Sequence, residues 1–270
     1  MKKFKIAILG GGNIGTALAR GLILSKTFKK EEILITEKQE SRASFLKSLG
    51  FKVSSDNQQA VSSSETIIIT VKPQQFDSLS EEIKPGLTKG HILVSSISGV
   101  SLKSIESTLG AFPTLRIMPN IALEICESMT CMTFRNTNSK QEERLLSIFG
   151  RMGKTIVVHE DLLDASTVIG ACGVAFALRF MRAMSQGGIE IGFDSEMAQL
   201  ITAQTVKGAA RLILEKSNHP EREIDRVTTP QGITISGLNE MEHQGLSSAV
   251  IRGITTSYAK LENLNSKKQK

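Results

Sequence analysis

Near its start the chain runs Lys5-Ile6-Ala7-Ile8-Leu9, breaks into Gly10-Gly11-Gly12-Asn13-Ile14-Gly15, and resumes with the helix formers Thr16-Ala17-Leu18-Ala19-Arg20. An apolar run, a tight turn and a helix in that order constrain the fold more than any other stretch. Gly10, Gly12 and Gly15 stand at the spacing G-x-G-x-x-G. In such a unit the first glycine allows the turn, the second lets a diphosphate approach the backbone, and the third lets helix pack on strand. The diphosphate rests on the helix N-terminus, whose N–H groups have no intrahelical acceptor. The expectation is a dinucleotide site built on Gly10, Gly12, Asn13, Ile14 and Gly15.

The next segments extend this unit. Glu31 to Glu37 reads as a second strand, and Ser41 to Leu49 as a helix stopped by Gly50. Glu37 lies 22 residues past Gly15, where an acidic side chain accepts the ribose hydroxyls and repels the extra phosphate of NADP. Lys38 and Arg42 follow and can hold that phosphate, so NADPH and NADH both stay open. Thr66 to Val71 is an unbroken apolar run suited to the buried middle of a parallel sheet, ended by Lys72-Pro73-Gln74. His91 to Ser96 and Thr114 to Met118 follow as strands, the latter ended by Pro119-Asn120. Ligands in such sheets bind beyond the carboxyl ends of strands, which puts Lys72-Pro73 on the cofactor side. Ser128 to Phe134 and Thr155 to Val158 add two more strands around a helix over Gln141 to Phe149. Residues 1–160 thus read as one α/β domain with a Rossmann-like, doubly wound parallel sheet.

From Glu160 strand-like runs stop, and 163–186, 194–216, 231–243 and 246–262 all read as helices. Residues 161–270 form an all-helical second domain. Val168 to Leu178 is apolar on every side of a helix, more than a small domain can cover, so a second copy is expected against it. Gly170 and Gly173 there cost helix propensity and point to a close helix or ligand. Before the third helix, Thr229-Pro230 reads as cap and first helical residue. Free amides of Gln231, Gly232 and Ile233, with the hydroxyls of Thr229 and Thr234, then offer a seat for a small carboxylate, although the stretch alone favours an ordinary capped helix.

Composition removes other classes. The net charge of +6 is partly carried at the chain ends, Met1-Lys2-Lys3 and Ser266 to Lys270, and with one Tyr and no Trp there is no stacking platform, so nucleic acid is not expected. Cys126, Cys131 and Cys172 are odd in number and lack C-x-x-C spacing, which disfavours metal and disulfides and suggests a reducing compartment. The apolar run of 11 residues from Val168 to Leu178 is shorter than the about 20 a membrane span needs, and glycines interrupt any leader-like apolar core at the start. A cytoplasmic, non-membrane protein is expected.

The separated motifs together resemble the pyrroline-5-carboxylate reductases, enzymes of the last step of proline biosynthesis, over nearly the whole chain. Gly10-Gly11-Gly12-Asn13, Val71-Lys72-Pro73-Gln74 and Arg116-Ile117-Met118-Pro119-Asn120 are similar to three family elements, and Asn57 sits where the family places a cofactor-contacting asparagine. Val227 to Leu238 is similar to the signature Ser-Pro-Gly-Gly-Thr-Thr-x-x-Gly-Leu, with Gln231 in place of its first glycine. Gly170 to Phe176 departs from the family's Ser-Gly-Ser-Gly-Pro-Ala-Tyr, and Thr36-Glu37-Lys38 from its usual Asn-Arg. The resemblance implies reduction of 1-pyrroline-5-carboxylate to L-proline by NADPH or NADH, in a homo-oligomer that is at least a dimer through the helical domain. It places Glu37, Lys38, Asn57, Val71, Lys72, Pro73, Met118 and Asn120 with the glycine loop at the cofactor, and Thr229, Gln231, Gly232, Ile233 and Thr234 at the substrate. Thr234 is then the catalytic hydroxyl, touching the ring nitrogen; His91, His159, His219 and His243 read as structural or exposed. Two other readings stay open. A 3-hydroxyacid dehydrogenase of the 6-phosphogluconate dehydrogenase type needs a lysine early in the first interdomain helix, and 163–186 contains none. A non-enzymatic dinucleotide sensor binds cofactor without turnover.

Overall fold

The computed structural model describes residues 3–266. Residues up to Cys172, with the chain from Tyr258, form one compact unit, and Gly173–Ser257 form a second.

The first unit is an eight-stranded sheet in the order β3-β2-β1-β4-β5-β6-β7-β8. The strands are β1 Phe4–Leu9, β2 Ile33–Thr36, β3 Lys52–Ser54, β4 Ser64–Ile69, β5 Ile92–Ser95, β6 Thr114–Met118, β7 Ser128–Arg135 and β8 Gly153–Val157. Helices α1 Asn13–Leu24, α2 Glu40–Ser48, α3 Asn57–Ser62, α4 Phe76–Ile83, α5 Leu102–Leu109 and α6 Ser139–Gly150 connect them. The first six strands follow the order 3-2-1-4-5-6, so the crevice lies where β1 and β4 diverge. Central strands bury both faces. Ile6, Ile8, Ile33, Ile35 and Ile68 pack with Leu18, Leu22, Leu46 and Phe149 on one side, while Ala7, Leu9, Leu34, Ile67 and Ile69 pack with Val61, Leu79, Ile83 and Ile105 on the other. That is the period-two alternation of a sheet covered on both faces, which is why these strands read as unbroken apolar runs.

One feature of the sheet differs from the sequence reading. The sheet is not wholly parallel: β7 runs antiparallel to β6. The link between them holds only the 3-10 turn Ile121–Ile125, too short for the crossover that a parallel neighbour requires. The stretch after β3 forms α3, which Asp56 caps by accepting from the Gln59 N–H at 2.8 Å.

The second unit comprises α8 Gly173–Glu190, α9 Ser195–Lys216, α10 Pro220–Val227, α11 Ile233–His243 and most of α12 Leu246–Ser266. Helix α10 was not anticipated; His219 caps it and Pro220 opens it. Helix α7, Glu160–Ser166, continues through a π-helical turn at Thr167–Cys172 into α8, giving a 31-residue helical stretch, Glu160–Glu190. By length and composition that stretch is apolar enough to cross a membrane, longer than the apolar run alone suggests, because Ala, Met and Gly carry the pattern past Leu178. Within Gly173–Ser257 only Ala198 and Thr202 are buried, while Leu178, Ile191, Leu200, Leu214 and Ile251 are all more than half exposed. The helical unit has almost no core of its own.

One buried ion group ties the sheet to the start of the helical stretch. Arg116 on β6 is 2% exposed; its guanidinium donates to Glu160 Oε1 at 3.1 Å and to Asp164 Oδ1 at 2.7 Å, and Glu160 Oε1 also accepts from the Leu102 N–H at 2.6 Å. Arg116→Leu leaves two carboxylates facing an apolar strand, and because they retain some solvent the expected loss is about 2–4 kcal/mol, below the fully buried case. A lowered urea midpoint, with Arg116→Lys between the two, checks it.

Candidate active site

The glycine turn is shaped by the two strand ends beside it. Gly10 has φ +109, a conformation that favours glycine, and its N–H donates to the Thr36 carbonyl at 3.1 Å. Thr70, just past β4, donates its hydroxyl to the Gly10 carbonyl at 2.7 Å and its N–H to Leu9 at 2.9 Å. The sequence reading did not single out Thr70. A Cβ on Gly15 would lie 2.0 Å from the Gly10 carbonyl oxygen, so glycine there permits the helix to touch the strand turn. A Cβ on Gly12, by contrast, would meet nothing within 4 Å, and φ −64 suits any residue. Space therefore stands open in front of Gly12. The first helical bond runs from the Thr16 N–H to the Gly12 carbonyl at 2.9 Å, so the amides of exposed Asn13, half-buried Ile14 and Gly15 precede the helical ladder. Open space before a row of free amides fits a diphosphate.

At the ribose side, both oxygens of Glu37 accept backbone N–H groups, from Gly11 at 3.1 Å and Gln39 at 2.9 Å, so the carboxylate is fixed at the end of β2. Neither nearby cation stands free. Arg42 donates to the Gly11 carbonyl at 2.7 Å and the Thr16 hydroxyl at 2.9 Å, bracing the glycine turn; Lys38 pairs with Glu82 on α4 at 2.9 Å. Glu82 also accepts from the amide of buried Asn57 at 3.0 Å. Burial pushes the Glu82 carboxyl up, but the hydrogen bonds from Lys38 and Asn57 outweigh it and hold it below the usual carboxylate range. Glu82 was missed by sequence because it is 25 residues from Asn57 and 44 from Lys38 and belongs to no motif.

The remaining cofactor-side residues divide by role. Val71 lies against the Gly10 turn, exposed Lys72 donates its N–H to the side-chain oxygen of Gln75 at 3.1 Å, and Pro73 opens a 3-10 turn. Met118 is 3% exposed and packs with Cys131 and Leu163. Asn120 is 7% exposed; its amide donates to the Gly170 carbonyl at 3.0 Å and its oxygen accepts from the Ala122 N–H at 3.0 Å. Asn120 thereby links the end of β6 to the π turn that holds Gly170. A Cβ on Gly170 would meet nothing within 4 Å, so nothing within this chain crowds that glycine.

In the helical unit the candidate substrate loop differs from the expected cap. Helix α11 starts at Ile233 with Gly232 as its N-cap, not at Pro230 with Thr229 capping. The Gly232 N–H donates to the Thr229 carbonyl at 2.9 Å, and Gln231 has φ +58, which makes Thr229-Pro230-Gln231-Gly232 a type II turn. That turn takes up the Gly232 amide, so the free first-turn amides are those of Ile233, Thr234 and Ile235. A Cβ on Gly232 would lie 2.4 Å from the Thr229 hydroxyl, which explains glycine there. Ile233 is 92% exposed and Thr234, the second helical residue, is exposed beside it.

Residues 160–264 match the family model for pyrroline-5-carboxylate reductase dimerisation, and 5–99 match that for NADP oxidoreductase, coenzyme F420-dependent. Pyrroline-5-carboxylate reductase 2 of Dictyostelium discoideum is 42% identical, over 94% of this chain and 91% of its own length. The chain belongs to the pyrroline-5-carboxylate reductase family. Pyrroline-5-carboxylate reductase 1 of the same organism is 45% identical over 98% of this chain, which spans 50% of that relative's length. The crystal structure of Plasmodium falciparum pyrroline carboxylate reductase with NADP bound superposes with a TM-score of 0.87 at 24% identity, covering 98% of this chain and 99% of that one, a likeness of fold. The dimerisation match makes the protein a homo-oligomer.

Gly12→Val is expected to abolish NADH and NADPH binding in calorimetric titration while the melting temperature holds, because the added side chain enters open space. Gly15→Ala, where the Cβ meets backbone, should instead lower stability by about 1–3 kcal/mol.

Proposed function

We infer that the protein is a pyrroline-5-carboxylate reductase, reducing the C=N bond of 1-pyrroline-5-carboxylate to give L-proline. The observation that carries this is the family match across both units, with the glycine turn shaped for a dinucleotide. NAD(P)H supplies the hydride when bound. Residues 1–160 hold the dinucleotide and 161–270 the substrate loop and dimer contact, in the cytoplasm.

A protonated cyclic imine is already a good hydride acceptor, so the chain's task is to position two rings. The amides of Asn13, Ile14 and Gly15 bind the diphosphate and Glu37 the ribose, with Lys38, Asn57, Val71, Lys72 and Pro73 around them. Met118 and Asn120 act from behind, as packed and hydrogen-bonded floor. At the start of α11, the amides of Ile233 and Thr234 receive the substrate carboxylate, held in register by the turn of Thr229, Gln231 and Gly232. The Thr234 hydroxyl, on the same first turn, reaches the ring nitrogen next to that carboxylate.

Mixing the protein with pyrroline-5-carboxylate and NADH or NADPH should consume the reduced nicotinamide absorbance and form proline. Cofactor binding without turnover would support a sensor instead. Thr234→Ala and the near-isosteric Thr234→Val should each lower turnover about 10- to 100-fold, ~1.5–3 kcal/mol, with cofactor affinity kept. A wild-type rate in either removes Thr234 from the site.

The dimer is expected to form through the helical unit. Sedimentation at micromolar concentration should give at least twice the chain mass, and Leu200→Glu, placing a charge on a residue 70% exposed in the single chain, should shift it toward monomer. A folded wild-type monomer would contradict this.

A further inference from the structure

We propose that Glu82 sets the choice between the two nicotinamide cofactors, by holding a negative charge against Lys38 where the 2′-phosphate of NADPH would dock. This rests on the dinucleotide reading of the glycine turn and specifies its ribose side.

Glu37 marks the ribose edge, since its carboxylate is pinned by the Gly11 and Gln39 amides and cannot swing away without breaking the turn. The next residue, Lys38, is the cation placed to neutralise a phosphate there, and its ammonium lies 2.9 Å from Glu82 Oε2. The other cation in reach of that edge, Arg42, is committed to the Gly11 carbonyl and the Thr16 hydroxyl. One oxygen of Glu82 therefore serves both Lys38 and the amide of Asn57, the residue at the first position of α3.

Magnitudes decide how this acts. The Lys38 side chain is 67% exposed, and an exposed pair is worth only about 0–1 kcal/mol, so a phosphate can draw the lysine away from its partner. Glu82 cannot follow. It sits on α4, 30% exposed, anchored by buried Asn57, and its charge stays beside the phosphate site. With Glu37 it makes a pair of fixed carboxylates against one mobile cation, and NADPH, with its extra charge of nearly −2, meets net repulsion that NADH does not. Glu82 is a positioning and specificity residue; it acts through charge and through Asn57.

The test is calorimetric titration of the wild-type protein and its variants with NADP+ and NAD+ at low ionic strength, where such charges are least screened. Glu82→Gln keeps an acceptor for Asn57 but removes the charge; it should tighten NADP+ relative to NAD+ about tenfold, through charge-assisted contact of the released Lys38. Glu82→Ala removes the Asn57 anchor as well and should weaken NAD+ too. Lys38→Met should cost little NADP+ affinity in the wild type and much more in Glu82→Gln, a non-additive pair. The same NADP+ to NAD+ ratio in wild type and Glu82→Gln, or additive Lys38 and Glu82 effects, overturns the proposal and leaves the dinucleotide reading standing. A wild type that binds neither dinucleotide overturns both.

Discussion

The first unit depends on one close approach. Helix α1 meets the turn after β1 at Gly15, where a Cβ would come within 2.0 Å of the Gly10 carbonyl oxygen. That contact sets the angle at which the helix leaves the sheet, and so aims its first-turn amides along the crevice between β1 and β4. Three further groups hold the turn in place: the Thr70 hydroxyl on the Gly10 carbonyl, Glu37 on the Gly11 amide, and Arg42 on the Gly11 carbonyl. They come from the ends of three different elements. A phosphate seat made of backbone is only as precise as the strands that converge on it, which is why a purely parallel centre underlies a site with few charged side chains.

How much of this was legible in the sequence follows from the range of each interaction. The glycine turn, the apolar strands and the helical second half are encoded locally, by spacing and by runs such as Ile67-Ile68-Ile69, and they stand in the structure where the pattern put them. The direction of β7 was not legible, because it depends on the length of the link after Pro119 and no residue type marks it. Helix α10 was hidden by its short, charged sequence, although His219-Pro220 is a start signal. At the site, the glycines and Glu37 were visible, whereas the commitments of Arg42, Lys38 and Asn120 were not. Each is settled by a partner more than thirty residues away, Gly11, Glu82 and Gly170 respectively. A charged residue near a motif can be named from sequence; whether its charge is free is a tertiary fact.

The two units bury surface in opposite ways. The sheet unit closes its own core on both faces, with residues such as Ile8, Ile35 and Phe149 almost fully enclosed. The helical unit leaves Leu178, Leu200, Leu214 and Ile251 largely in water and buries only Ala198 and Thr202. Exposed apolar area on this scale marks a surface that a partner can cover.

The turn before α11 shows how a family signature tolerates departure. Position 231, glycine in the family pattern, is glutamine here, and its φ of +58 costs a non-glycine residue about 1 kcal/mol or more. Two neighbours bear that strain. Pro230 presets the preceding φ for a type II turn, and Gly232 lets the chain close so tightly that its N–H reaches the Thr229 carbonyl at 2.9 Å. The backbone path into the helix survives the substitution, and with it the direction of the free amides at Ile233 and Thr234. What changes is chemistry at the lip of that path, where a polar side chain with one acceptor and two donor hydrogens replaces a hydrogen atom. A turn shaped by its flanking Pro and Gly can accept a new side chain at its centre; a turn shaped by its central glycine could not.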